Sequence, residues 1–156
     1  MGVLPDDWAL PALDARNTVW FTSGQLAVQR CAGCGTAQHP PEEVCHRCGS
    51  MSFDHVAVAP RGTVHSYTVA HYPVHPALAG SVPYTVVLVS LDEAPQVRVV
   101  GNLVGDRAVG AAPAGDEIII GMPVEAFWEE REVDGQVVRL PQWRPAGRGG
   151  PDREGS

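Results

Sequence analysis

The sequence predicts a mainly β protein with a short N-terminal helix, a cysteine-clamped ribbon and a barrel of five or six strands. Three observations carry that expectation. All four cysteines fall within "QRCAGCGTAQHPPEEVCHRCGS", Gln29 to Ser50, as two Cys-x-x-Cys-Gly units. After Ser50 the chain becomes β-branched and apolar, with turn residues at the spacing of a small barrel. Asp134-Gly135 then splits two such runs, a strong hairpin signal.

At 156 residues the chain suits one compact unit or two small ones sharing a core. Pro11 to Gly24 reads as a short helix, with Asp14 as N-cap, an apolar side of Leu13, Val19 and Trp20, and Gly24 as its stop. Gln25 to Gln29 alternates Leu26 and Val28 with polar neighbours, a strand entering the cysteine region. "FDHVAVAP" and "RGTVHSYTVAHY" are the next strands, and "PVHPALAGSV" is a loop. "PYTVVLVSLDE" is the central strand, followed by "PQVRVVGNLVG" and a loop through "DRAVGAAPAGDE". "GMPVEAFWEEREV" and "GQVVRLPQWRP" form the hairpin. The resulting division is a helical segment at 1–24, a ribbon at 25–52, a barrel domain at 53–145 and a disordered tail at 146–156.

Charge narrows the function. The net charge is −7 with pI near 5.2, a poor basis for general binding to phosphate backbones. Lysine is absent, which excludes a Schiff-base or P-loop lysine. The start lacks a basic and apolar leader, and Asp6 spoils a myristoylation match. The longest apolar run, Tyr84 to Leu91, is too short to span a bilayer. The expected location is the cytoplasm, where paired Cys-x-x-Cys units favour metal over disulfides.

The spacing Cys31-x2-Cys34, then Cys45-x2-Cys48, gives two knuckles whose sulfurs face each other. Gly35 and Gly49 relieve the backbone where each turn needs positive φ. Four thiolates in that arrangement suit tetrahedral Zn2+. Four protein ligands leave no open position for water, so the expected zinc is structural. Arg30 and Arg47 stand beside cysteines and offset their charge, while His39 and His46 are read as surface residues and not as ligands.

No catalytic residue is expected on this chain. Ser66 neighbours His65, but adjacent strand residues point to opposite faces. His65, His71 and His75 are either partner-contact or solvent histidines, or acid/base groups at the barrel mouth; contact is favoured. Glu129, Glu130 and Glu132 read as the wet face of a strand, with Phe127 and Trp128 at its boundary. Glu42 and Glu43 read as solvated loop charges, and Arg61 and Arg98 as surface arginines within reach of a phosphate.

The order of "GQLAVQRCAGCG", "HPPEEVCHRCGS", "RGTVHSYTVAHYPVHPALAGSVPYTVVLVSLDE", "RVVGNLVG", "IIIGMPVEAFWEE" and "LPQWRPA" resembles the DUF35 family over residues 12 to 146. That resemblance implies a rubredoxin-like zinc ribbon, a C-terminal OB-fold barrel and the four cysteines as ligands. It also implies a small subunit beside a thiolase-fold aldolase or a MaoC-like hydratase, in complexes that shorten steroid side chains as CoA thioesters. The partner then holds the catalytic residues and most contacts to acyl-CoA. Leu78, Val82, Phe127 and Trp128 are the candidate partner-binding residues; substrate-binding residues are unknown. The assembly expected is a hetero-oligomer with neither nucleic acid nor membrane. Two other readings are a single-stranded nucleic-acid binder, which the charge disfavours, and a freestanding hydratase or aldolase, which lacks a catalytic constellation.

Overall fold

A computed structural model describes residues 4–105 and 118–147. The loop expected at 106–117 and the tail beyond 147 lie outside the described residues. Among the described residues, no helix is long and apolar enough to cross a membrane.

The helical segment is shorter than its sequence pattern. Only α1, Thr18–Thr22, is regular helix. Its residues, TVWFT, are β-branched or aromatic and propagate a helix weakly. Asp14 still works as a cap, one turn earlier: its Oδ1 accepts the N–H groups of Arg16 at 2.8 Å and Asn17 at 2.9 Å. Trp20 anchors the segment by burying its ring in the core.

A three-stranded antiparallel sheet follows, in the order β2-β1-β3. Its strands are β1 (Leu26–Cys31), β2 (Ala37–Gln38) and β3 (Phe53–Val58). β3 was expected with the barrel, yet it pairs with β1 from Leu26↔Val58 to Cys31↔Phe53. The second knuckle returns the chain beside β1, with Ala32 N–H donating to Ser52 O at 2.9 Å, so β3 continues that ladder.

The barrel is closed in the order β4-β5-β6-β8-β7. Its strands are β4 (Arg61–Ala70), β5 (Tyr84–Leu91), β6 (Arg98–Leu103), β7 (Pro123–Val133) and β8 (Gln136–Pro145). β5 alternates strictly, sending Thr85, Val87, Val89 and Leu91 inward. The β7–β8 hairpin turns at Asp134 and Gly135, with φ of 50° and 77°. Both values lie in the left-handed region that a two-residue turn of this hand requires.

Ribbon and barrel share one core. Trp20, Leu26 and Val28 pack in the same cluster as Val64, Val87, Val99, Val124 and Trp143. Trp143 fits because β6 carries Gly101 beneath it: a Cβ there would stand 2.8 Å from Trp143 Cδ1 and 3.0 Å from Pro141 O. Gly101→Ala is therefore expected to lower unfolding free energy by about 1–3 kcal/mol in urea titrations. Trp143→Ala should cost about 3–5 kcal/mol. An unchanged midpoint for Gly101→Ala would contradict this packing.

Candidate metal centre

The two knuckles are built alike. Cys31 N–H donates to Thr36 O at 2.9 Å, and Cys45 N–H to Ser50 O at 2.8 Å. Gly35 N–H donates to Cys31 O and Gly49 N–H to Cys45 O, both at 2.9 Å. The two glycines take φ of 74° and 75°, which a side chain would strain. Each turn thereby presents its sulfurs to the other.

All four Sγ atoms lie within 4.8 Å of one another. Cys31 and Cys48 are 3.5 Å apart, and Cys34 and Cys45 3.7 Å. With bonds of about 2.3 Å, a ZnS4 tetrahedron has edges of about 3.8 Å, so the donor set fits the ion. Protonation differs across the set. The backbone N–H of Cys34, then that of Gly33, lowers the Cys31 thiol. The Thr36 hydroxyl, with its backbone N–H, holds Cys34 down at about 6. The Ser50 N–H favours a thiolate at Cys48 too, but Cys31 and Cys34 push it up to about 12. Two of the thiols thus favour the thiolate, and a cation bound among the sulfurs would draw off the remaining protons. This is a structural zinc site.

A buried amide network steadies the second knuckle. Gln38 Nε2 donates to Gln29 Oε1 at 3.0 Å, and Gln29 binds both the N–H and the C=O of Glu42. Gln38 Oε1 meets the N–H and Nδ1 of His46, at 3.3 and 3.0 Å. His46 is thus exposed but tethered. The sequence reading missed Gln29 and Gln38, polar residues whose burial depends on the β1–β2 pairing Gln29↔Gln38. Arg30 and Arg47 are exposed and make no ion pair among the described residues.

Three expectations need correction. His39 is half-buried and not free at the surface: its ring lies 4.1 Å from that of Trp20, and burial pushes its pKa down to about 4. Glu129 is not on a wet face, being only 6% exposed. Its carboxylate accepts from Arg131, from the Leu4 N–H at 3.1 Å and from Gln142 Nε2 at 3.2 Å. The N-terminal segment covers it. Leu78, a candidate partner-binding residue, is only 7% exposed, because a single 3-10 turn at Pro76–Leu78 tucks it inward.

The other candidates scatter. Val82, Phe127 and Trp128 are half-buried, and Trp128 packs on the core. Glu130 and Glu132 are exposed, and Glu130 pairs with Arg139. Glu42 and Glu43 are exposed, Glu43 lying 3.4 Å from Arg16. Arg61 and Arg98 are exposed at one end of the barrel. His65 and His71 are exposed, while His75 stacks edge-on against Trp8 and accepts from the Ala77 N–H. Among the described residues, no serine or threonine hydroxyl bonds a histidine or a carboxylate side chain. A cleft of about 640 Å3 opens where α1 and the loop after β2 meet β6 and β8, lined by Arg16, Trp20, His39, Val100, Asn102 and Gln142 among others.

Two measurements check this site. Metal analysis should find about one zinc per chain, and replacing any one of Cys31, Cys34, Cys45 or Cys48 with Ser should lower zinc affinity by orders of magnitude. His39 binds its proton less readily folded than unfolded, so its contribution to stability is intact above pH 6.5 and is lost as pH falls from 6.5 toward 4. The loss amounts to as much as about 3 kcal/mol. His39→Phe keeps a ring against Trp20 and should flatten the stability profile between pH 6.5 and 5; an unaltered profile would contradict the assignment.

Comparison with known proteins places this geometry. Residues 22–54 match the family described as ChsH2, rubredoxin-like zinc ribbon domain, and residues 55–129 that described as ChsH2, C-terminal OB-fold domain. The chain is 45% identical over 139 residues to a probable enoyl-CoA hydratase alpha subunit of Thermomonospora curvata, covering 87% of this chain. It is 36% identical over 128 residues to the 3-oxo-4,17-pregnadiene-20-carboxyl-CoA hydratase alpha subunit of Mycobacterium tuberculosis, covering 80% of this chain. It spans only 39% and 37% of the lengths of those two relatives. A solved structure entitled "Ltp2-ChsH2(DUF35) aldolase" aligns with a TM-score of 0.68 at 42% identity, over 87% of this chain and 98% of that one. With its S4 zinc ribbon joined to a closed five-stranded barrel, this chain belongs to the DUF35 family.

Proposed function

We propose that the chain is a non-catalytic, zinc-stabilised small subunit that docks on a larger enzyme acting on acyl-CoA thioesters. The observation that carries this reading is its likeness, over nearly the whole of the matched chain, to the DUF35 component of an aldolase. The chemistry of the chain agrees. Its thiols sit in the S4 set, and no described hydroxyl has a base. A net charge of −7 argues against nucleic acid as the partner.

The leading reaction for the complex is retro-aldol cleavage of a β-hydroxyacyl-CoA, with a steroid-derived side chain as the acyl group. In that step a base takes the β-hydroxyl proton and the Cα–Cβ bond breaks. Its electron pair is held as the thioester enolate and then protonated at Cα. The base and the proton donor would belong to the larger, thiolase-fold subunit. Hydration by a MaoC-like partner is the second reading, favoured by the two hydratase alpha subunits among the relatives. Either assembly would work in the cytoplasm, where the thiolates stay reduced.

A tagged copy expressed in its native host should purify with a larger acyl-CoA enzyme in a fixed ratio. Recovery of the chain alone, or with nucleic acid, would contradict the reading.

A further inference from the structure

The outer face of the β7–β8 hairpin carries a clamp for main chain. Glu129 Oε1 accepts the Leu4 N–H at 3.1 Å, and Arg131 Nη2 donates to Leu4 O at 2.7 Å. Both contacts meet the backbone of Leu4 and neither meets its side chain. The parts of the clamp hold one another. Arg131 pairs with Glu129, and Gln142 Nε2 donates to the second carboxylate oxygen at 3.2 Å. Glu129 is 6% exposed and Gln142 3%. An acceptor and a donor that take the N–H and C=O of one residue do what a β-ladder does. The clamp therefore selects an extended backbone with a free N–H and not a particular side chain.

The segment now in the clamp is held loosely beyond it. Among the described residues, Pro5 to Leu13 forms hydrogen bonds only within itself and with Asn17. Trp8 stands edge-on to His75, with ring centroids 5.4 Å apart, and also flanks the β7–β8 turn. It thereby bridges the β4–β5 loop and that turn, and OB barrels take ligands between the corresponding loops. Beside Trp8 lies a hollow of about 590 Å3. Asp6 and Asp7 of the segment and Glu132 and Asp134 of the hairpin line it, with no arginine or histidine among the lining residues. Like charges on both walls of one open gap loosen the segment. A chain without those two aspartates would sit there more favourably.

We propose that residues 4–13 are a displaceable strap, an autoinhibitory contact that closes a main-chain-binding site at Glu129 and Arg131. An extended segment of the larger subunit, neutral or basic where the strap carries Asp6 and Asp7, takes its place. This inference rests on the reading of the chain as a docking subunit. The clamp supplies the register, and the place that Trp8 leaves between the two loops supplies the apolar anchor.

Peptide binding to the full-length, zinc-loaded chain tests the proposal. The probe is a capped peptide copying residues 2–14 with Asp6→Asn and Asp7→Asn. Trp8→Ala in the protein loosens the strap, so that variant should bind the probe about tenfold more tightly than the unaltered chain, whose own strap competes. N-methylation of the probe at the Leu4 nitrogen removes the clamped N–H and should weaken binding about tenfold, whereas Leu4→Met in the probe should not. Hydrogen exchange of the isolated chain should show the Leu4 amide opening well before those of β5, and in the tagged complex Leu4 should lose its protection. The proposal is overturned if the probe binds both proteins alike or neither, if N-methylation has no effect, or if Leu4 exchanges only as β5 does. A complex in which Leu4 stays protected overturns the proposal and leaves the docking reading standing. If no larger chain co-purifies, the docking reading fails and the proposal with it.

Discussion

Four thiolates cannot stay within 4.8 Å of one another unless a cation neutralises them, and the rest of this molecule is arranged around that requirement. The two glycine-closed knuckles aim the sulfurs, and zinc then fixes the distance between Cys31 on β1 and Cys48 beyond it. β1 in turn lends Leu26 and Val28 to the core that the barrel shares. Metal, ribbon sheet and barrel therefore form one line of dependence, and binding of the ion contributes to folding as well as to local geometry.

The buried polar groups fit a scaffold. Gln29 and Gln38 satisfy the loop that carries the second knuckle. Glu129, Arg131 and Gln142 hold the backbone of Leu4 against the outside of the β7–β8 hairpin, with Arg131 donating to Leu4 O at 2.7 Å. Removing Arg131 would strand the buried Glu129 carboxylate, at a cost of about 3–5 kcal/mol. The most displaced histidine, His39, owes its shift to burial under Trp20, without a nucleophile or carboxylate beside it to make it a base.

Features set by local geometry are legible in the sequence, and those set by distant contacts are not. The cysteine spacing, the knuckle glycines and Asp134-Gly135 each act within a few residues, so their geometry is written where they stand. The alternation in β5 reports a strand half-buried in a barrel for the same reason. Glu129 looked wet because its cover, Leu4, comes from the other end of the chain. His39 looked exposed because the ring over it belongs to α1. β3 had the texture of a barrel strand, and only its pairing with β1 shows which sheet it joins. Leu78 sat in a run of loop residues, and its 3-10 turn depends on the His75 side chain accepting from Ala77. Each miss is a tertiary contact overriding a local pattern.

The central claim is that this chain grips and shapes a larger catalyst without making or breaking bonds itself. Its most direct test is turnover of β-hydroxyacyl-CoA thioesters, measured for the zinc-loaded chain alone, the larger subunit alone and the reconstituted pair. The account predicts no turnover by the small chain alone and the highest rate from the pair. Turnover by the isolated chain, or a rate from the larger subunit that its addition leaves unchanged, would contradict it.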